Sequence, residues 1–347
     1  MTSPAGTSAL PPLYARWIEE FLQAPAPVES RSTCHDCPMI STDPARNGSQ
    51  HQFHPETKCC TYWPELPNFL VGFILKDTDS SFARARAQME KFLTNEMTIT
   101  PLGATPPASF FAHYRNQKYF GTERSLLCPF YQEGHAGNCG IWKFRNGRCA
   151  TWFCRFERGS VSVVFWKYMD QLLTAIERSL SRWCVLQFGF TSETLQQIFP
   201  PPRSEMWLTP TMWGEWLGKQ REFFIECARL VDALSWDDVS RIGGMELEVP
   251  ARLLHDACGS LLKRDLPPRL KLNQWKHSVE ADPETVRIWT YSRYDPLEVP
   301  RRIVDVLGYF QNSATDEALD RIEQEKGVRL DRDYVRWLTD FGVLTDD

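Results

Sequence analysis

The sequence lacks long apolar runs and any excess of positive charge, and these absences exclude several classes of protein. No stretch approaches the roughly 18 uninterrupted apolar residues of a transmembrane helix; the most hydrophobic segments, Phe69 to Leu75 and Val161 to Met169, are much shorter. Residues 1–24 lack a basic region followed by an apolar run, so we expect no secretory signal and a cytoplasmic location. The net charge of −5 argues against a basic, chain-wide nucleic-acid surface. We therefore expect neither a membrane nor a nucleic-acid partner.

Recognisable catalytic motifs are also missing. No glycine-rich methyltransferase loop follows a predicted strand, and the CxxxCxxC triad of radical S-adenosylmethionine enzymes is absent. Neither a Ser/His/Asp nor a Cys/His hydrolase pattern is present. Four carboxylates lie near the cysteines described next, but their spacing does not single out a general acid or base: Asp36, Glu56, Glu65 and Glu133. The sequence therefore assigns no catalytic residue.

Cysteine is abundant in one part of the chain. Eight of the eleven cysteines fall between residues 34 and 154: Cys34, Cys37, Cys59, Cys60, Cys128, Cys139, Cys149 and Cys154. The first two form a CxxC knuckle, and the next two are adjacent. Such dense thiols are either cross-linked or share bound metal. A cytosolic chain keeps its thiols reduced, which favours metal over disulfides or inert buried thiols.

The spacing of these cysteines favours iron–sulfur clusters over zinc. A structural zinc needs four tetrahedral ligands, commonly from two short knuckles, and this chain has a single CxxC. The adjacent Cys59 and Cys60 are poor partners for one small ion, because the chelate ring between them is tight. In a cluster each cysteine binds a different iron, so irregular spacings are tolerated. Eight thiolates satisfy two [4Fe–4S] clusters, or one cluster and one zinc, and zinc alone stays open as the alternative.

Charged and aromatic residues flank the cysteines. Five cations are expected to offset the negative charge of a thiolate-bound cluster: Lys143, Arg145, Arg148, Arg155 and Arg158. Four tryptophans are either ordinary core or a dry shell around a metal: Trp63, Trp142, Trp152 and Trp166. Four histidines lie in the same region, at 35, 51, 54 and 135, and His54 or His135 is the best substitute ligand for a cluster with three cysteines.

The order of residues from 128 to 156 is itself distinctive. It runs Cys128-Pro129-Phe130, Gly137-Asn138-Cys139-Gly140-Ile141-Trp142, Arg145, Cys149 and Cys154-Arg155-Phe156. With the CxxC and the adjacent pair, this pattern resembles the YkgJ-type cysteine-cluster proteins, a zinc- or iron-chelating family marked by a CxxCxxCC element. The resemblance covers residues 34–156, a little under half of the chain.

The resemblance implies metal chelation by the eight cysteines. One branch with a similar pattern, the flagellin lysine-N-methylases, implies modification of a protein with S-adenosylmethionine. The chain also departs from the family pattern. Residues 38–58 separate the CxxC from the adjacent pair, Trp142 stands where tyrosine is usual, Asn146 where proline is usual and Ala150 where arginine is usual.

Hydrophobic periodicity predicts a helical second half. Long amphipathic helices are predicted over Ser160 to Gln187, Met212 to Leu234 and Pro250 to Leu262. Pro250 is expected to start the third helix, at the position where its missing N–H costs nothing. The lone cysteines of this region, Cys184, Cys227 and Cys258, are predicted to be buried core residues.

The last segment, from Pro296 to Leu344, has a helical pattern of its own. Three short helices, over Val299 to Leu307, Thr315 to Lys326 and Asp331 to Phe341, resemble a helix-turn-helix or winged-helix core. A DNA-reading third helix would be basic, whereas Arg332 and Arg336 are offset here by three aspartates: Asp331, Asp333 and Asp340. We expect this segment to dock a protein or peptide, or to pack structurally.

The sequence thus predicts a mainly α fold with an irregular cysteine-rich metal-binding region on a helical body. Four regions are expected: an N-terminal extension with a short helix (1–29), a cysteine-rich cluster domain (30–158), a helical domain (159–295) and a winged-helix-like module (296–347). The leading hypothesis is an iron–sulfur enzyme that modifies a protein or peptide. The alternatives are a non-catalytic metal or cluster carrier, a redox sensor, and a zinc-stapled interaction protein.

Overall fold

The computed structural model describes residues 10–32, 37–41, 52–94, 99–115, 120–133, 138–200, 209–275 and 277–346, and it is mainly helical, as predicted. The α-helices are α1 (Pro12–Leu22), α2 (Asn68–Lys76), α3 (Ala83–Leu93), α4 (Ala108–Tyr114), α5 (Gly147–Thr151), α6 (Gly159–Leu186), α7 (Ser192–Ile198), α8 (Gln220–Asp232), α9 (Trp236–Gly243), α10 (Met245–Leu262), α11 (Arg301–Val304), α12 (Thr315–Lys326) and α13 (Arg332–Asp340). Short 3₁₀ helices span Pro38–Ile40, Ser80–Phe82, Arg124–Leu126, Trp142–Phe144, Pro210–Trp216 and Leu307–Phe310. No helix in these ranges is long and apolar enough to cross a bilayer.

The strands are short and pair antiparallel in four small sheets. They are β1 (Leu66–Pro67), β2 (Ile99–Thr100), β3 (Gly103–Ala104), β4 (Tyr131–Gln132), β5 (Asn138–Cys139), β6 (Leu270–Leu272), β7 (His277–Asp282), β8 (Thr285–Trp289), β9 (Leu297–Pro300) and β10 (Leu344–Asp346). The pairings are β1-β3-β2, β4-β5, β7-β8-β9 and β6-β10. The β4-β5 hairpin places Tyr131 opposite Cys139 and lies within the cysteine-rich region.

The helical body is built around α6, whose predicted amphipathic pattern is confirmed. One face of α6 buries residues at three- and four-residue spacing, among them Phe165, Met169, Leu172 and Ile176. It packs mainly against α10 and α5, while α2 packs against α8. Gly72 permits the α2–α8 approach, because a Cβ atom there would lie 1.8 Å from the carbonyl oxygen of Phe224.

Three of the helix predictions were wrong at their boundaries. The predicted helix over Val299 to Leu307 is an α-helix only over Arg301–Val304, because Val299 lies in β9. Helix α10 begins at Met245, so Pro250 lies inside it rather than at its start. The predicted helix over Met212 to Leu234 is divided into the 3₁₀ helix Pro210–Trp216 and α8. Gly214 interrupts the first part with φ 51° and ψ −127°, a conformation that only glycine adopts readily. Periodicity alone did not reveal this interruption.

Residues 270–346, from β6 to β10, form what we call the C-terminal unit, which has its own hydrophobic core. Its strands contribute Val286, Ile288, Leu297 and Val299, and its helices contribute other buried residues: Ile303, Leu307, Phe310, Ala318, Ile322, Val335 and Leu338. Helix α12 matches its predicted range, and α13 lies within its predicted range. The core begins at Leu270 and so includes strands that precede the predicted boundary at 296.

A buried ion pair joins the C-terminal unit to the helical body. The Arg158 guanidinium donates to both carboxylate oxygens of Asp340, at 2.8 and 2.6 Å, and also to the backbone oxygen of Leu261. The Ser160 hydroxyl donates to the Asp340 backbone oxygen at 2.6 Å. The expectation that Asp340 offsets surface arginines was therefore wrong: it neutralises Arg158 inside the protein. The exposed Arg332 instead pairs with Asp316.

Candidate metal centre

The first three described cysteines lie on two adjoining segments. Cys37 immediately precedes the 3₁₀ helix Pro38–Ile40 and is buried. Cys59 and Cys60 follow a turn in which the backbone N–H groups of residues 57 and 58 donate to the carbonyl of His54. Cys34 lies outside the described residues.

The other four cysteines are positioned by the β4-β5 hairpin and by α5. Cys128 accepts a backbone bond from Tyr131 at 2.9 Å, and Cys139 pairs with Tyr131 across the hairpin. Cys149 lies in α5, where the Asn146 side chain caps the helix by accepting from the Cys149 N–H at 3.0 Å. Cys154 follows α5 and is buried. Asn146 thus has a structural role as the N-cap of α5.

These seven cysteines, which we call the cysteine site, lie close enough together to influence one another electrostatically. Cys37, Cys59 and Cys154 affect one another, and so do Cys128, Cys139 and Cys149. Cys59 and Cys60 are linked by a hydrogen bond between their side chains. The N–H of Cys128 donates to the carbonyl of Cys60 at 2.8 Å, which ties the two segments together. Chain segments far apart in sequence therefore converge in one region.

Burial and crowding raise the pKa of the thiols. Burial raises the pKa of Cys154 to about 11, and it raises the pKa of Cys37 as well. The pKa of Cys128 and of Cys149 is raised first by burial and then by the charge of Cys139. The pKa of Cys59 is raised well above its usual value by its hydrogen bond with Cys60 and by burial. These thiols are neutral near pH 7 unless a bound cation stabilises their thiolates.

Four aromatic side chains form a shell on one side of the cysteine site: Phe53, Phe120, Trp152 and Tyr294. Their ring centroids lie between 5.2 and 6.4 Å apart in the recorded pairs. Cys37 and Cys154 are buried in the same cluster, and Cys59 packs against it. Of the four tryptophans noted in the sequence, Trp152 therefore contributes to a shell, whereas Trp142 is 42% exposed.

The C-terminal unit reaches this site through the loop between β8 and β9. Asp295 is 2% exposed and accepts two hydrogen bonds from Arg31, at 2.7 and 3.0 Å, and one from the hydroxyl of Tyr291. Arg155, next to Cys154, lies 3.8 Å from the same carboxylate. The Ser32 hydroxyl lies 3.3 Å from the sulfur of Cys154. Sequence reasoning named Arg155 but missed Tyr291 and Asp295, because both are far from Cys154 in the chain.

The expected cation shell was partly wrong. Lys143 pairs with Asp77 at 3.0 Å and Arg148 with Asp170 at 2.9 Å, and Arg158 is neutralised by Asp340. Arg145 and Arg155 do partly offset the rise in pKa of their neighbouring cysteines, Cys149 and Cys154. Lys58, which is buried in the turn before Cys59, partly offsets the rise in the pKa of Cys37 and Cys59 in the same way, and it was not among the expected cations.

The neighbouring histidine and carboxylates have local partners. The Nδ1 atom of His54 accepts the backbone N–H of Glu56 at 3.2 Å. Glu56 and Glu133 both pair with the exposed Arg124. The other three histidines considered as ligands, His35, His51 and His135, lie outside the described residues, as does Asp36.

The donor chemistry fits a thiolate-bound metal. The ten cysteines in the described ranges are free thiols. Among these residues, no three His, Cys, Asp or Glu side chains are arranged to hold a single metal ion. A cluster makes a different demand, because each thiolate binds its own iron and the sulfurs surround a larger object. Soft thiolates in a crowded, partly buried site suit iron–sulfur clusters or zinc, and a bound metal would offset the charge of the thiolates that bind it.

The lone cysteines lie away from this site. Cys184 and Cys227 are fully buried in the helical body, as predicted, and the Cys184 thiol lies 3.9 Å from the Cys227 backbone oxygen. Cys258 on α10 is only partly buried.

Comparisons of the chain with protein-family models, curated proteins and solved structures gave no match.

Proposed function

We propose that this chain is a metal–thiolate protein whose cysteine site holds iron–sulfur. The observation that supports this most is the gathering of seven free cysteines from separated segments into one region, in which Cys37 and Cys154 are buried and the other five are partly buried. Seven free thiols in such a place have no evident packing advantage over apolar side chains, whereas thiolates stabilised by iron would explain both their number and their grouping. Zinc is the alternative metal.

The resemblance to the YkgJ-type proteins supports the same proposal from the sequence. In this proposal the ligands come from eight cysteines: Cys34, Cys37, Cys59, Cys60, Cys128, Cys139, Cys149 and Cys154. The aromatic shell of Phe53, Phe120, Trp152 and Tyr294 would limit access of water to the metal and so tune its chemistry.

Metal content of matched variants tests the proposal. The full chain and its Cys149→Ser and Cys258→Ser variants would be purified anaerobically and assayed for iron and zinc. We expect the wild-type protein and Cys258→Ser to carry the same stoichiometric metal and Cys149→Ser to carry less, because Cys258 lies outside the cysteine site. Equal metal in all three proteins, or none in the wild type, would contradict the proposal.

A second candidate function is modification of a protein or peptide at this site, with S-adenosylmethionine as the implied co-substrate. The specific observation in its favour is that the loop carrying Tyr294 and Asp295 brings the C-terminal unit directly against the cysteines. In this proposal the unit is a winged-helix-like module that holds the macromolecular substrate. Replacing exposed residues of the unit, such as Arg332 and its partner Asp316, by alanine should then weaken turnover of a protein substrate and leave turnover of a short peptide unchanged.

The C-terminal unit is proposed to dock protein rather than nucleic acid. Arg332 is paired with Asp316, and Arg336 donates to the backbone oxygen of Lys263 at 3.2 Å, so neither is presented as part of a basic stripe. Phosphate contacts dominate DNA affinity. We expect no gel shift with duplex DNA at physiological salt; a shift lost on Arg332→Ala and Arg336→Ala would contradict this.

A further inference from the structure

We propose that the C-terminal unit is a hinged cover of the cysteine site, which lifts from the helical body about residues 263–266 and so controls access to Cys37 and Cys154. This inference goes beyond the proposed function, because it concerns access to these thiols and holds whether or not they bind metal. Three features of the molecule support it: how the unit is connected, what it covers and which contacts hold it closed.

The unit is joined to the helical body by one short connection. Helix α10 ends at Leu262, and residues 263–266 form neither helix nor strand. From Pro267 onward the chain is held by the unit, because the Thr315 hydroxyl donates to the Pro267 carbonyl at 2.7 Å and the Thr315 N–H donates to the Pro268 carbonyl at 2.9 Å. The unit also has its own hydrophobic core, so it can move as one body about this connection.

The loop between β8 and β9 lies over the thiols. The ring centroid of Tyr294 lies 5.5 Å from that of Phe53 and 6.0 Å from that of Trp152. These rings flank the cluster in which Cys37 and Cys154 are each 7% exposed. Of the four rings of the aromatic shell, Tyr294 alone comes from the C-terminal unit. Lifting the unit would therefore open the shell on this side and leave its other rings in place.

Two buried ion pairs hold the unit closed. Asp295, in the loop over the thiols, accepts two hydrogen bonds from Arg31. Asp340, at the end of α13, accepts two from Arg158. The side chains of the two aspartates are 2% and 11% exposed. Arg31 also donates to the carbonyl of Phe156 at 2.8 Å, so the first pair is fixed directly to the segment that follows Cys154.

Such pairs fix the closed geometry without making it difficult to open. The cost of removing two charges from water largely cancels the attraction between them inside a protein. When the unit lifts, both charges of each pair return to water, so opening costs far less than removing one partner from the closed form. Aromatic contacts also cross the interface, such as that of Tyr291 with Phe156 at 6.1 Å between ring centroids. Polar interfaces of this kind permit one domain to move relative to another.

Hydroxyl-radical footprinting of the full chain, analysed by peptide mass spectrometry, tests the hinge. Two buried phenylalanines report opening: Phe53 lies in the shell, and Phe341 lies at the interface under the Arg31 guanidinium, 5.2 Å from its ring centroid. Two others, fully buried, report unfolding: Phe165 lies in the core of the helical body and Phe310 in the core of the unit. Opening as one body exposes the first two and leaves the last two protected.

The variant Arg158→Met should shift the protein toward the open form. The buried Asp340 then has no counter-ion until the unit lifts and returns it to water, so we expect oxidation of Phe53 and Phe341 to rise about tenfold. The matched control is Arg332→Met, in an exposed ion pair of the same unit, which should leave oxidation of these rings at the wild-type level.

Two results would overturn the proposal. If Arg158→Met left Phe53 at the wild-type level, the ion pair would be a local contact and not the closure of a cover. If Phe310 were oxidised in step with Phe53, the unit would unfold instead of lifting. Neither result depends on metal, so failure of this proposal is distinct from failure of the proposed metal binding.

A measurement on the unsubstituted chain covers the case in which Arg158→Met fails to fold. The wild-type full chain would be footprinted in a series of urea concentrations below and through its unfolding transition. A hinged cover predicts that Phe53 and Phe341 lose protection at lower urea than Phe165 and Phe310. Loss of protection of all four rings at the same urea concentration would overturn the hinge.

Discussion

Breaking the buried ion pair between Arg158 and Asp340 should loosen the C-terminal unit strongly. The two side chains are 9% and 11% exposed and are joined by two hydrogen bonds of 2.8 and 2.6 Å. Removing one partner leaves the other charge buried without compensation, which costs about 3–5 kcal/mol. We therefore expect Arg158→Met to lower the free energy of unfolding by that amount, to which the lost bond to Leu261 contributes.

Urea unfolding, followed by tryptophan fluorescence and by far-ultraviolet circular dichroism, measures this effect. The exposed pair of Arg332 and Asp316, with side chains 60% and 74% exposed, provides a matched control. Arg332→Met should cost no more than about 1 kcal/mol, because exposed pairs are screened by water. In the double variant Arg158→Met, Asp340→Leu much of the loss should be recovered, because no unpaired charge remains.

This prediction would be refuted if Arg158→Met lowered the free energy of unfolding by no more than Arg332→Met does. It would also be refuted if the double variant lost as much as the single variants Arg158→Met and Asp340→Leu together. Either result would mean that the pair does not hold the unit to the helical body. Because the chain has two hydrophobic cores, the two probes should also be compared for coincident transitions. A separate early transition in Arg158→Met alone would locate the damage in the C-terminal unit.

Three further predictions concern packing, pH and metal uptake. Gly72→Ala should destabilise the protein by about 3 kcal/mol in urea unfolding, because the new methyl group would lie 1.8 Å from the Phe224 carbonyl oxygen. The control Gly259→Ala, in open space on α10, should be neutral or stabilising by up to about 1 kcal/mol. Equal effects of the two substitutions would contradict this prediction. Burial raises the pKa of Glu177 from 4.5 to about 7, so the stabilising contribution of this side chain is present below pH 4.5 and is lost as the pH rises through 7. Glu177→Gln should therefore remove up to about 3 kcal/mol of the pH dependence of the free energy of unfolding. An unchanged pH dependence would contradict the raised pKa. Burial raises the pKa of thiols such as that of Cys154, to about 11, so metal binding must release protons from them. The affinity for metal, measured by chelator competition, should therefore fall as the pH is lowered from 8 to 6. An affinity that did not change with pH would exclude thiol ligands.

Periodicity predicted the fold best where a helix has one buried face. Helices α6 and α12 match their predicted ranges to within a residue, because their apolar residues recur at helical spacing. Helix α2 was noted only as a hydrophobic segment, because it is apolar on nearly all sides and lies between other elements. The short strands β7, β8 and β9 were not predicted, since strands of this length leave little periodic signal in the sequence.

The cysteines of the candidate site were identifiable from their density, but their surroundings were not. The partners of Cys154 include Ser32, and the loop of Tyr294 and Asp295 comes from a unit more than a hundred residues away in the chain. Nor did the sequence show that Lys143 would pair with Asp77 instead of facing the thiols. Such contacts depend on tertiary packing, which local patterns do not encode.

The central claim is tested most directly by iron and acid-labile sulfide analysis, with a visible spectrum, of the anaerobically purified full chain. The account predicts a coloured protein that contains iron and sulfide in similar amounts and whose visible absorption bleaches on reduction. Zinc without sulfide would keep the thiolate site and refute the iron–sulfur assignment. A colourless protein without stoichiometric metal would contradict the account as a whole.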